Sequence, residues 1–381
     1  MKIVFIANGI TEDIGQPGLS GSDSRFIEIG KRWQRKGVDI HIVTSKAGVD
    51  LCNKLRLKAT FHVTDMGRGP IYWTYIKRAI ANVSGDIKGA VICSTTPLLC
   101  DVLPAIRLKK SLGGKWAATV HWIEDPPWKR GLHFGLDWLD AGLNNLNEAL
   151  SFPIIKRFAD VILAVSSHTA ELVKNAGFKK ERIHIVENGI DHQSIRKLSP
   201  KPKLYDGCYM KRLHPGKGVY DAIRIWERVC REVENAKLVL AGSSTERIMS
   251  HVKEMIKRKG LEKNIEYLGI LYNLDKKFTV LKQSRMLIHP SYAENWGIVI
   301  GESMACGTPV LFYDLPVLRD IWKRGSIGIR TGDIDDFAQT VINLLRDKKT
   351  LAKLSKEATD YARQFDWDIV AEKEMKILEN L

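Results

Sequence analysis

The chain has 381 residues, 44% of them hydrophobic, and its 59 Lys and Arg against 44 Asp and Glu leave a formal charge of +15. That length points to roughly two or three domains, each with apolar content enough for its own core. The composition excludes a disulfide scaffold and a membrane-spanning bundle: six cysteines are scattered without a CxxC pair, and no apolar run approaches the ~18–20 residues of a span.

Reduced thiols in a cytoplasmic protein fit this cysteine usage. Met1 leads directly into Lys2-Ile3-Val4-Phe5-Ile6, so no signal peptide is expected. The basic surface suits polyanions, namely nucleic acid, an anionic membrane or a phosphorylated ligand.

Strand and helix alternate along the chain. Lys2 to Asn8 reads as a buried strand, followed by a glycine-containing loop. Ser22 or Asp23 can cap a helix running to Lys36, with Phe26, Ile29, Gly30 and Trp33 on one face. Strands are expected at 39–44, 60–66, 90–94, 115–122, 160–165 and 182–186, with helices at 72–83, 98–111 and 167–176. The run Ser199-Pro200-Lys201-Pro202-Lys203 is extended and exposed, as a linker would be.

The alternation then restarts, with strands at 207–212, 237–242, 265–268, 286–288 and 310–313. Helices at 219–233, 245–259, 274–283, 297–306, 335–345, 350–364 and 367–381 complete it. Strands alternating with helices at this spacing imply doubly wound parallel sheets. The expected fold class is therefore α/β, with two Rossmann-like domains facing a cleft. The expected divisions are a first domain over 1–198, a second over 199–365, and a final helix over 366–381.

Two stretches carry the chemistry. In Tyr209-Met210-Lys211-Arg212-Leu213-His214-Pro215-Gly216-Lys217-Gly218 a strand ends in a basic, glycine-containing turn before a helix. Arg212 offers a planar fork for phosphate and Lys217 a point charge. The GxxxxGK[ST] spacing of a P-loop is absent. In RMLIHPSYAENWGIVIGESMACGTPV (285–310) a buried strand, a polar loop and a helix follow in order. That order is where open α/β sheets bind ligands. Glu294 and Glu302 sit on this junction. Two cations near a helix N-terminus can hold a diphosphate, and two carboxylates can accept hydrogen bonds from sugar hydroxyls. Together they describe a nucleotide-sugar site.

With those residues in order, the chain resembles the retaining glycosyltransferases of family 4, which have the GT-B fold. SSHTAELVKNAGF, IHIVENGID, LPVLRDIW and FDWDIVAEKEM extend the likeness over nearly the whole chain. The resemblance implies that the first domain, 1–198, binds the acceptor, that the second, 199–365, binds the nucleotide-sugar, and that the helix over 366–381 crosses back to the first. The resemblance implies that Glu302 binds ribose hydroxyls and Glu294 sugar hydroxyls. It implies that amides near Trp296, Gly297 and Ile298 meet the sugar and phosphates, and that Arg212 and Lys217 neutralise the departing diphosphate. In the first domain Gly21 and Ser22 would approach the diphosphate, and His121 would lie against the transferred sugar. A histidine in isolation is more often a satisfied core residue. Asn295-Trp296 stands where the family more often has Gly-Phe, which makes these two residues candidates for selecting the sugar. The N-terminal loop has Leu19-Ser20-Gly21-Ser22 rather than a plain glycine pair.

The resemblance implies a UDP- or GDP-sugar donor, no covalent enzyme nucleophile, and no metal or other cofactor. Asp333-Ile334-Asp335 and Asp366-Trp367-Asp368 spell the DxD of metal sites, but both lie at helix starts, where acidic residues suit the dipole. The acceptor is expected to be lipid-linked or a soluble glycan. Between Trp122 and Arg157, aromatic residues alternate with Lys129-Arg130 and Lys156-Arg157, and Trp138, Leu139, Leu143, Leu146 and Leu150 can form one face. An amphipathic, basic helix of this kind suits an anionic membrane surface, which would place the protein peripherally at the inner face of the membrane. The rival readings are a nucleotide-sugar epimerase on the same fold, and a basic nucleic-acid-binding protein, for which no recognition motif is present.

Overall fold

The computed structural model describes residues 1–10, 12–13, 16–17, 20–64, 71–81, 87–123 and 136–381, without the side chains of 12–13, 16–17, 71–72 and 136–141. The chain forms two compact units, Met1–Asn188 with Trp367–Leu381, and Gly189–Asp366.

The first unit contains strands β1 (Lys2–Ala7), β2 (Glu12–Asp13), β3 (Gln16–Pro17), β4 (Asp39–Thr44), β5 (Thr60–Val63), β6 (Val91–Ser94), β7 (Trp116–Val120), β8 (Val161–Ala164) and β9 (Ile183–Ile185). Seven of them form a parallel sheet in the order β5-β4-β1-β6-β7-β8-β9, and β2 pairs with β3 as a small antiparallel ribbon. The central strands read as unbroken apolar runs because helices cover both faces. Phe5 and Ile42, for example, sit in register and are both buried.

The second unit contains β10 (Gly207–Met210), β11 (Leu238–Ala241), β12 (Ile265–Tyr267), β13 (Leu287–His289), β14 (Val310–Tyr313) and β15 (Ser326–Ile329). They form a parallel sheet in the order β12-β11-β10-β13-β14-β15. The strand order reverses at β1/β6 in one unit and at β10/β13 in the other. Such switch points leave a crevice beyond the carboxyl ends of the strands.

Two α/β units of Rossmann type are thus present. The first ends before the proline-lysine run at 199–203. That run is exposed and irregular, but it belongs to the second unit: Leu204 N bonds Gln283 O at 2.8 Å and Lys203 Nζ bonds Ser284 O at 2.6 Å. Residues Gly189 to Leu198 are held there too, through Ile190 N to Phe365 O at 2.7 Å and His192 Nε2 to Ala362 O at 2.9 Å. The last helix, Trp367–Glu379, packs on Gly21–Arg35 in the first unit, where Trp33 Nε1 donates to Ala371 O at 2.9 Å and Arg25 pairs with Glu374.

Several local expectations change. Helix Gly21–Arg35 is capped by Ser20, while Asp23 is the third residue of a reciprocal capping box. Helix Lys46–Lys54 escapes a periodicity search because its buried positions are small: Ala47, Gly48 and Cys52 join Leu51. A Cβ on Gly48 would lie 1.9 Å from Thr44 Oγ1, so no larger residue fits. Strand β15 is a half-exposed edge of four residues with a glycine, and it gives no apolar run. Asp333 caps helix Ile334–Arg346 by accepting from Asp336 N, and Asp368 bonds Arg32 Nε at 3.0 Å. Both DxD motifs therefore contribute structural contacts. All six cysteines are free.

Candidate active site

In the second unit, four buried residues make β10, and the chain leaves the sheet at Lys211. Its path there is fixed by Gly242, whose φ is +148° and whose Cβ, if present, would lie 1.9 Å from Lys211 O. The buried Tyr209 hydroxyl lies 3.1 Å from Arg212 O and 3.0 Å from Lys217 O and is shared between them. One side chain therefore pins both ends of the basic turn. Gly218, at φ +74°, passes so close to Pro290 that a Cβ would meet its carbonyl oxygen at 1.7 Å. Tyr292 N bonds Gly216 O at 3.1 Å. The turn after β10 and the loop after β13 are thereby joined across the switch point.

This junction builds a cluster around Glu294. Its Oε1 accepts from Lys211 Nζ, from His289 Nε2 at 3.1 Å and from Lys217 Nζ at 3.3 Å. Lys211 Nζ lies 2.9 Å from His289 Nε2, and Lys217 Nζ also donates to Ala293 O at 2.5 Å. Burial alone would raise the Glu294 pKa, but the Lys211 charge, the His289 bond and the Lys217 charge outweigh it and hold the carboxyl well below its usual range. Burial, followed by the Lys211 charge, lowers His289 to about 4, so the imidazole is neutral at pH 7. Burial lowers Lys211 to about 8 in spite of Glu294. Two lysines against one carboxylate leave one net positive charge at the strand ends, which favours an anion.

Helix Ile298–Ala305 starts beside this cluster. Its N-cap is Gly297 at φ +78°, so no side chain caps it, and Ile300 N bonds Gly297 O at 2.8 Å. Asn295 is exposed. Glu302 is buried one turn further on. Lys277 Nζ lies 2.5 Å from Glu302 Oε2 but off the hydrogen-bonding direction, so the contact is ionic rather than a directed bond.

Lys211 is the cation that reaches Glu294 from β10, whereas the Arg212 side chain is exposed and makes no ion pair among the described residues. The strand ends at Met210, two residues short of the expected 207–212. The Trp296 side chain cannot select a sugar. It is 1% exposed, meets Trp322 and Phe365 edge-on at 4.7 and 5.3 Å, and its carbonyl accepts from Trp322 Nε1 at 2.9 Å. Only its backbone is available to a ligand. Lys211, His289 and Lys277 were missed as site residues. A charged or imidazole side chain immediately at the end of a buried strand was the signal for the first two.

In the first unit, Gly21 is exposed at the start of its helix, and Ser22 Oγ lies 2.6 Å from Ser20 Oγ. His121 follows β7 and is 4% exposed; its Nε2–H donates to Thr95 O at 3.1 Å. Burial, then the Arg25 charge, lowers its pKa to about 3, so it is neutral. Thr95 is held in turn by buried Asp101, which also accepts from Asn8 N at 2.7 Å and Thr96 Oγ1 at 2.6 Å. No local pattern marks this hub, because the acid lies in a helix and its donors follow two strand ends.

Residues 191–361 match the model of glycosyl transferases group 1, and residues 19–194 match that of glycosyltransferase family 4. The chain is a GT-B glycosyltransferase. Among its relatives is the N-acetyl-alpha-D-glucosaminyl L-malate synthase of Bacillus anthracis, 24% identical over 90% of this chain and 89% of that protein. Among solved structures, HepE of Anabaena in complex with UDP-glucose superposes with a TM-score of 0.73 at 18% identity over the whole of both chains. Sucrose-phosphate synthase of Thermosynechococcus elongatus does so with 0.76 at 15% identity, over 100% of this chain and 98% of that one. In this glycosyltransferase the group 1 match contains the whole cluster around Glu294, and the family 4 match contains Gly21, Ser22 and His121.

Proposed function

We propose that this glycosyltransferase takes a sugar from a UDP- or GDP-sugar and passes it, with retention of configuration, to a lipid-linked or soluble glycan acceptor. The carrying observation is the pair of lysines, Lys211 and Lys217, converging on Glu294 beside an uncapped helix N-terminus. Breaking the anomeric bond builds negative charge on the β-phosphate, and preorganised cations offset it without reorganising solvent. Lys211 and Lys217 supply that charge, together with the amides after Gly297. Glu294, kept ionised, accepts hydrogen bonds from sugar hydroxyls, and Glu302 does the same for ribose once Lys277 shares it. Neutral His121, its Nε2–H committed to Thr95, offers its other nitrogen as an acceptor. The acceptor hydroxyl attacks on the face the nucleotide leaves, so no enzyme nucleophile and no metal ion is assigned. The nucleotide-sugar complex of HepE supports a UDP-sugar as the first donor to test.

The test is nucleotide release from a panel of UDP- and GDP-sugars, with and without a lipid and glycan extract. Release with at least one donor is expected, and Lys217→Ala and Glu302→Ala each lower it by about a hundredfold with unchanged circular dichroism. Silence across the panel with the extract present, or parental rates in both variants, would overturn the reading.

A pH dependence follows from Lys211. Its ammonium must be charged to meet a diphosphate, and its pKa lies at about 8. Below that value the cation is present, and above it the cation is lost, so kcat/KM falls as pH rises through about 8. A guanidinium stays charged throughout, so Lys211→Arg removes that alkaline limb. A profile flat to the same pH in both proteins would show that Lys211 does not face the reacting phosphate.

A further inference from the structure

Three neighbouring helices of the first unit carry a surface pattern that the transfer site does not use. Ile71–Ile80 packs against Leu99–Leu112, which packs against Leu136–Phe158. Arg107 donates to Ala79 O at 2.6 Å, and Lys110 lies 5.1 Å from the Phe158 ring, so the three lie side by side. Trp73, Ile76 and Ile80 recur along the outer face of the first helix, with Trp73 55% and Ile80 57% exposed. Leu143, Leu146 and Leu150 repeat the same spacing on the third, with Leu146 55% exposed. Apolar residues at this spacing normally face a core.

Among the described side chains, the exposed charges on these three helices have one sign; Asp137 and Asp140, at the start of the third helix, lie outside the described side chains. Segments 71–81, 99–115 and 142–158 contain two carboxylates, Asp101 and Glu148, and both are buried. Lys77, Arg107, Lys110, Lys156 and Arg157 pair with no carboxylate among the described residues. A second copy laid on this face would bring like charges together. An anionic bilayer instead offers headgroup phosphates to the cations and an acyl boundary to the ridges. No described helix is long and apolar enough to cross a membrane. Phe152 does not contribute, because its ring packs against Phe178. Trp128, Lys129, Arg130 and Phe134 lie outside the described residues, as do the side chains of Trp138 and Leu139.

We propose that this face docks on an anionic lipid surface, with both ridges entering the headgroup–acyl boundary. The inference is independent of the donor reading, since docking needs no nucleotide. The test is flotation of the whole protein with vesicles of phosphatidylcholine alone or mixed equally with phosphatidylglycerol. Flotation with the mixed vesicles at low salt, and its loss at high salt, is expected. Leu146→Glu with Leu150→Glu, and separately Ile76→Glu with Ile80→Glu, should each weaken partition at least about tenfold. These positions are exposed, so thermal unfolding and sedimentation should stay parental. No flotation with anionic vesicles, equal flotation with neutral ones, or indifference to both pairs would overturn the proposal. A change of sedimentation coefficient in the variants would overturn it as well, by assigning the face to self-association.

Discussion

Lys211→Ala is expected to lower sugar transfer by about a hundredfold to a thousandfold, the usual effect of removing one preorganised group that meets developing charge. Arg212→Ala, one residue on, is expected to stay within about threefold of the parent, because an exposed cation is screened by water and salt. The contrast follows from geometry. Lys211 has 10% of its side chain exposed and sits against Glu294 and His289, while Arg212 faces solvent. Steady-state kinetics on both variants, with saturating donor and acceptor, decide it. Loss of activity in Arg212→Ala with Lys211→Ala unaffected would restore the arginine as the phosphate ligand. Glu294 keeps Lys217 in the lysine variant, so the carboxylate is not left buried without a partner and the fold should survive.

Trp296→Ala is expected to cost about 3–5 kcal/mol of stability, the range for truncating a large buried aromatic. The ring fills the space between Trp322 and Phe365, and its loss would also loosen the backbone that leads into Gly297. Urea denaturation followed by fluorescence measures the change. Trp296→Phe keeps an aromatic ring in the gap, and it should leave the ratio of rates for two donor sugars unchanged. A shifted donor ratio in that variant, with stability unaltered, would place the indole in the sugar pocket after all. Asn295, being exposed, remains the side chain of the pair that can meet a ligand.

The parts of the site that were legible share one property: they are encoded by local chain geometry. Gly218 and Gly297 are turns that require positive φ, and the alternation of apolar strand, polar loop and helix marks the carboxyl ends of β10 and β13. What was hidden depends on how far a strand runs and on which way a side chain turns. Lys211 and Arg212 are adjacent cations of similar reach. Adjacent side chains in extended backbone point to opposite sides, so which of the two turns toward Glu294 is decided by the path of the chain past Met210. Trp296 shows the same limit. Its neighbours Trp322 and Phe365 come from distant parts of the chain, so no local pattern reveals that they enclose it.

By itself the sequence determined two parallel α/β units and placed the two glutamates and Lys217 on strand-to-helix junctions. Periodicity and turn chemistry act within a few residues, so they survive without any tertiary information. Only the tertiary structure decided which cation meets Glu294, that His289 completes the cluster, that Lys277 partners Glu302, and that Asp101 holds Thr95 and through it His121. Each of these contacts joins residues that are brought together only when the sheets order their strands, and burial there is what lowers the pKa of Lys211, His289 and His121.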